Sequence, residues 1–141
     1  MSEQSILGLT HQEKEVLLST LDIFKGKMDL LVKEFYLNFL KSNAGSLFQN
    51  TDFNRQYMMF ASSIGVIITH IDHPMMLKEH LNDLVQKHTH YGVLTNHVDD
   101  FIEAFHATIK DVFINDFDKQ KIELWYKLIN SVMLYFKDQL H

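Results

Sequence analysis

One histidine lengthens an apolar helix face, which makes it the first residue with chemistry to offer. In the run LNDLVQKHTHYGV, residues 81–93, the apolar Leu77, Leu81, Leu84 and Val85 recur at helical spacing, and His88 continues their stripe. Gly92 then offers the left-handed stop that commonly ends a helix. Such a histidine is either a packed core residue or a ligand, and the helix pattern alone leaves both open. The chain holds nine histidines. His11, His70, His73, His80, His90, His97, His106 and His141 fall mostly on polar faces or in connectors and read as solvated. His88 and His90 are on different faces of a regular helix, so they do not share one metal. No H-E-x-x-H run and no repeated Glu-x-x-His pair is present, which removes the usual zinc and di-iron arrangements. No G-x-S-x-G elbow, phosphate-cradling glycine loop or dinucleotide fingerprint occurs. Without cysteine there are no disulfides, thiolate nucleophiles or iron–sulfur ligands.

What survives is a short list. Tyr36 lies inside a wide apolar helix stripe, so its hydroxyl needs a buried partner. Gln56 is the polar member of another apolar face. Eleven Phe, five Tyr and seven Met supply bulky, soft apolar volume that suits lining a cavity as well as filling a core. One imidazole, one phenol, one amide and an aromatic surround match the needs of a flat, apolar cofactor with one open axial metal position. Haem fits that set.

The elements that must position these residues are all helical. One proline, five glycines and little strict alternation argue for an all-α domain, and 141 residues suffice for a single core. A single domain over residues 1–141 is expected, with residues 1–9 a flexible lead-in. Thr10 and Glu13 form a capping-box pattern opening a first helix that runs to about Gly26, with Val16, Leu17, Leu21 and Phe24 on one face. Met28, Leu31, Val32, Phe35, Tyr36, Phe39 and Leu40 define the second helix. After the connector SLFQN, Thr51 or Asp52 caps a third helix reaching about Ile71, with Gln56, Met59, Phe60, Ser63, Ile64 and Ile67 sharing a face. Pro74 marks the break before the His88 helix, expected from about Met75 to His90. Thr95 or Asn96 caps a further helix, and a final one carries Ile122, Trp125, Ile129, Val132, Met133 and Phe136 inward.

Bulk properties narrow the partners. Thirteen basic and eighteen acidic side chains give a formal charge of -5, and no Lys/Arg run stands out, so nucleic acid is not an expected partner. No apolar run has signal-peptide flanks or the length of a membrane span, so a soluble, cytoplasmic protein away from membranes is expected.

Taken in order, FYLNFL, SLFQN, the helix with Gln56 and SSIGVII, and LVQKHTHYGV resemble the globin family over about residues 8–138. The style is that of bacterial single-domain globins and the haem domains of flavohaemoglobins. The resemblance implies the globin fold, haem b (iron protoporphyrin IX), and His88 as the proximal ligand to iron. It implies that Phe48 packs flat on the macrocycle and that Tyr36 and Gln56 are the distal pair. Phe60 would sit above the iron, with Met59, Ser63 and Ile64 continuing that wall and Leu84, Val93 and Phe101 completing the haem contacts. An alternative register places Arg55 at the distal position and Met59 over the iron. It buries more polar surface, so Gln56 is the expected residue.

The chemistry of those roles is consistent. Haem iron with one imidazole leaves a sixth position for O2, NO or CO, and distal donors favour the ligand that takes on negative charge. Two neutral donors in a low-dielectric pocket, each contributing on the order of 1 kcal/mol, imply high O2 affinity through slow release. His88's second ring nitrogen needs an acceptor, and the backbone carbonyl near Leu84 is expected to supply it. The tyrosine and glutamate found behind the proximal histidine of flavohaemoglobins have no counterpart here, because Val98 and a residue near Leu140 align with those places. No flavin or nicotinamide reductase module is expected in this chain, and a separate reductase is the expected redox partner. The expected function is reversible gas binding by a monomer or weak homo-oligomer, in storage, scavenging or NO detoxification. The alternatives are an NO dioxygenase or another haem-based detoxification enzyme, and a haem-free globin-like regulatory module.

Overall fold

The computed structural model describes residues 7–42, 45, 51–90 and 95–140. Across them run seven helices and no strand: α1 (His11–Ser19), α2 (Leu21–Gly26), α3 (Met28–Phe39), α4 (Phe53–Thr69), α5 (Pro74–His90), α6 (Thr95–Phe113) and α7 (Lys119–Gln139). The all-α expectation holds.

The boundaries differ from expectation where side chains compete with the helix. The Thr10–Glu13 capping box forms in both directions, at 2.9 and 3.1 Å. The helix it opens does not reach Gly26 unbroken, because Thr20 interrupts it. The Thr20 hydroxyl donates to the Leu17 carbonyl at 2.6 Å and accepts from the Trp125 indole at 3.0 Å. A hydroxyl turned back on its own helix offers the backbone an alternative to the regular ladder, and the buried indole needs that acceptor. Asp52, not Thr51, caps α4 by accepting from the amides of Asn54 and Arg55. That helix stops at Thr69, short of Ile71. Pro74 occupies the first turn of α5, where its missing N–H is no loss. Thr95 already lies within α6, so the cap of that helix, the SLFQN connector and Gly92 all fall outside the described residues.

The lead-in is seated from Leu7 onward, which is fully buried and whose carbonyl accepts from Ser131. Residues 1–6 lie outside the described residues.

Two apolar clusters hold the helices together. The larger is built where α3 crosses α6. Phe35 packs on Phe101 and Phe105 with ring centroids 4.8 and 5.6 Å apart, and Asn38 donates to Thr108 across the same seam. At its far end Phe24 lies between Trp125 (4.0 Å) and Phe113 (5.2 Å), fastening α2 to α6 and α7. Each such fully buried large apolar side chain contributes roughly 1.5–3 kcal/mol. The smaller cluster joins Val85, Val98 and Phe136 from α5, α6 and α7. The two meet at Leu84 and Met133, which pack against both.

Candidate functional site

Tyr36 reaches its place because α3 buries a continuous stripe of Leu31, Val32, Phe35, Tyr36 and Phe39. Its ring is 2 % exposed and is walled by α4: Tyr57 at 5.2 Å, Phe60 edge-on at 5.5 Å and Phe53 edge-on at 6.2 Å. The hydroxyl receives the hydrogen bond its burial demands, from the Gln56 side-chain amide at 2.8 Å. Burial pushes the phenol up to about 12, with the bond from Gln56 opposing and nearby Tyr57 reinforcing that shift. Tyr36 is therefore a neutral phenol across the physiological range. Because Gln56 donates to its oxygen, the phenol is polarised into a stronger donor.

The expected face of α4 holds at Phe60, Ile64 and Ile67, which pack on the core, and is rotated at its other members. Phe53, Tyr57, Phe60, Ile64 and Ile68, spaced four, three, four and four apart, form the stripe that packs on the core. Gln56, Met59 and Ser63 lie at its edge. The aromatic residues remove more apolar area from water than an amide, a thioether and a hydroxyl would, so they take the centre of the interface. Met59 is 47 % exposed. Arg55 is exposed as well, and Gln56 is the residue turned toward Tyr36. Phe60 and Phe101 meet at 5.8 Å within the α3–α6 aromatic cluster, where Phe60 also stacks on Phe35 at 4.6 Å.

His88 sits on α5 among apolar neighbours. Its Nδ1 lies 2.7 Å from the Leu84 carbonyl, the acceptor expected one turn earlier. A carbonyl only accepts, so this contact fixes the proton on Nδ1 and the ring's lone pair on Nε2. Burial pulls His88 below the ordinary histidine range, against the Leu84 bond and with some help from Lys87. The ring is therefore neutral at pH 7. A neutral imidazole with its second nitrogen held by a carbonyl is the form in which histidine ligates a metal.

The chemistry of this donor set suits haem. One oriented imidazole, a phenol–amide donor pair and an aromatic surround are all present. Phe48 and Val93 lie outside the described residues. Among the described residues no group of three or more His, Cys, Asp or Glu is placed to hold a metal ion. A depression of about 490 Å³ on the flank of α5, lined by Asn82, Val85, Gln86, Thr89 and Gln139, includes neither His88 nor the Tyr36–Gln56 pair.

Some features escaped sequence reasoning. Phe53 and Tyr57 belong to the wall around Tyr36, and their spacing with Phe60 was the available signal. Phe136 lies edge-on to His88 at 5.2 Å, a contact between distant helices that carries no local signature. His80 and His106 are not solvated surface residues. Each is partly buried, with a buried Nε2 that finds no hydrogen-bond partner among the described residues. His106 turns inward because its ring stacks on Tyr126 at 4.2 Å. No helix among the described residues is long and apolar enough to cross a membrane.

Residues 32–135 match the family model described as Globin. That span covers well over half of the chain, and the chain belongs to the globin family. Membership makes haem-based binding of diatomic gases such as O2 its class of function. Comparison with curated proteins returns no match.

Proposed function

We propose that this chain is a haem b protein that holds O2 reversibly and with high affinity, and that also takes NO and CO. His88 is the iron's protein ligand, and Tyr36 with Gln56 forms the distal pair. Haem, when bound, would supply the iron that takes up a diatomic gas. The observation that carries the proposal is the 2.8 Å bond from the Gln56 amide to the Tyr36 hydroxyl oxygen. It leaves Tyr36 as the proton donor toward a ligand that draws negative charge. The α4 aromatic wall limits water at that hydroxyl, which raises the worth of the hydrogen bond. Phe48, Met59, Phe60, Ile64, Leu84, Val93 and Phe101 are assigned to the haem contacts.

The proposal places the protein with the bacterial single-domain globins, in the cytoplasm, as a monomer or weak homo-oligomer. Its role there is storage, scavenging or NO detoxification, with iron kept reduced by a separate reductase. Two measurements test it. A Soret band in the purified protein establishes haem uptake. NO consumption by the oxygenated protein then separates a holder from a catalyst. Stoichiometric loss supports binding, and sustained turnover under a supplied reductant moves the function to NO dioxygenation.

A further inference from the structure

The turn between α4 and α5 reads HIDHPMM, residues 70–76, and gathers donors that the haem site does not use. His70 caps the end of α4, and its carbonyl accepts from the His73 amide at 3.0 Å, which ties the two histidines across the turn. Their ring centroids are 6.1 Å apart. Pro74 restricts the backbone of His73 where α5 begins. Asp72 pairs with Lys14 of α1 at 3.6 Å, so the turn is also held from outside. The His70 Nδ1 lies 2.9 Å from the Val66 carbonyl. An acceptor there keeps the proton on Nδ1 and leaves the Nε2 lone pair for a ligand. His73 is exposed, and so is Met76, at 52 %, three positions further on.

The donor types select the ion. Two imidazoles bonded to one ion at about 2 Å stand with centroids roughly 5–6 Å apart, so the observed separation needs little adjustment. Among the described residues no three His, Cys, Asp or Glu surround one position, so zinc, which takes three or four such donors, is poorly served. A soft cation is content with fewer donors, and a thioether selects for it. We propose that His70, His73 and Met76 form a binding site for a soft monovalent cation, copper(I) in particular. The two imidazole nitrogens grip the ion from either side, and the thioether sulfur supplies the soft third donor. The site stands at the opposite end of α5 from His88 and does not depend on haem.

The test uses the full chain, with haem and without, under oxygen-free reducing conditions. Copper(I) is titrated against a chromogenic copper(I) chelator, and silver(I), a redox-inert stand-in, is followed by NMR. One equivalent of copper(I) is expected to bind more tightly than any later one. Silver(I) should shift the His70 and His73 ring protons and the Met76 methyl together. His70→Gln, His73→Gln and Met76→Leu should each weaken the first equivalent about 10-fold or more, since losing even a supporting partner of a ligand costs about 10- to 100-fold. Met58→Leu removes a thioether that is 73 % exposed elsewhere on α4, and it should leave that affinity unchanged. Wild-type affinity in any one of the first three variants overturns the site. Equal weakening by Met58→Leu overturns it too, because exposed thioethers at large would then be the binders. If His70→Gln does not fold, His73→Gln and Met76→Leu, both at exposed positions, carry the same two outcomes.

Discussion

The two walls of the proposed site solve opposite problems. On the α3–α4 side a polar pair, Tyr36 and Gln56, is held within an aromatic cluster, and each partner answers the other's need for a hydrogen bond. On the α5–α7 side a polar ring, His88, meets the Leu84 backbone carbonyl and the edge of Phe136. The first wall must present a donor to a charge that appears only when a gas arrives. The second must hold a lone pair in one direction at all times. A mutually satisfied pair suits the first task, and rigidity suits the second.

The largest expected effect breaks the second wall. His88→Gly should abolish stable haem retention, read as loss of the Soret band, with recovery when free imidazole is supplied. Normal haem binding by that variant would end the contrast between the walls. Next comes Tyr36→Phe, which removes the distal donor. A lost hydrogen bond to a charged partner is worth about 1.5–3 kcal/mol, so O2 release should accelerate by roughly 10- to 100-fold in stopped-flow measurements. Gln56→Leu should do less. It removes a neutral bond of about 0.5–1.5 kcal/mol that acts through Tyr36, so O2 release should quicken by roughly 2- to 10-fold.

The smallest effect is in pH dependence, and its sign differs between the walls. Burial lowers His80, His88 and His106 from the usual 6.5. The unfolded chain therefore takes up these protons first. Stability is unaffected by these groups at neutral pH, and it falls as pH drops below 6.5 toward their lower folded values. Tyr36 runs the other way. Its value rises from 10.0 to about 12, so its contribution is complete below pH 10 and is lost between there and about 12. Urea unfolding of the haem-free chain at acid and alkaline pH checks both, with Tyr36→Phe flattening the alkaline arm only.

How much of this was legible in the sequence follows from the range of each interaction. The helices, the Thr10 capping box and the stripe carrying Tyr36 depend on neighbours within two turns, so spacing alone exposed them. The Leu84 acceptor for His88 was legible for the same reason, since it lies one turn away on the same helix. The break at Thr20 was not, because it is tied to Trp125, 105 positions further on. The edge contact of Phe136 on His88 was hidden likewise. The face of α4 was only partly legible, at Phe60, Ile64 and Ile67, for another reason. Helical spacing admits two overlapping stripes, and only the aromatic partners on α3 select the one through Phe53, Tyr57 and Phe60.

The most direct test of the central claim combines Tyr36→Phe with Gln56→Leu and measures O2 release from all four proteins. If Gln56 works by donating to Tyr36, the double variant should release O2 no faster than Tyr36→Phe alone. That is a non-additive cycle with the coupling expected of directly bonded neighbours. Rates that multiply, or a Tyr36→Phe protein that releases O2 at the wild-type rate, would contradict the account.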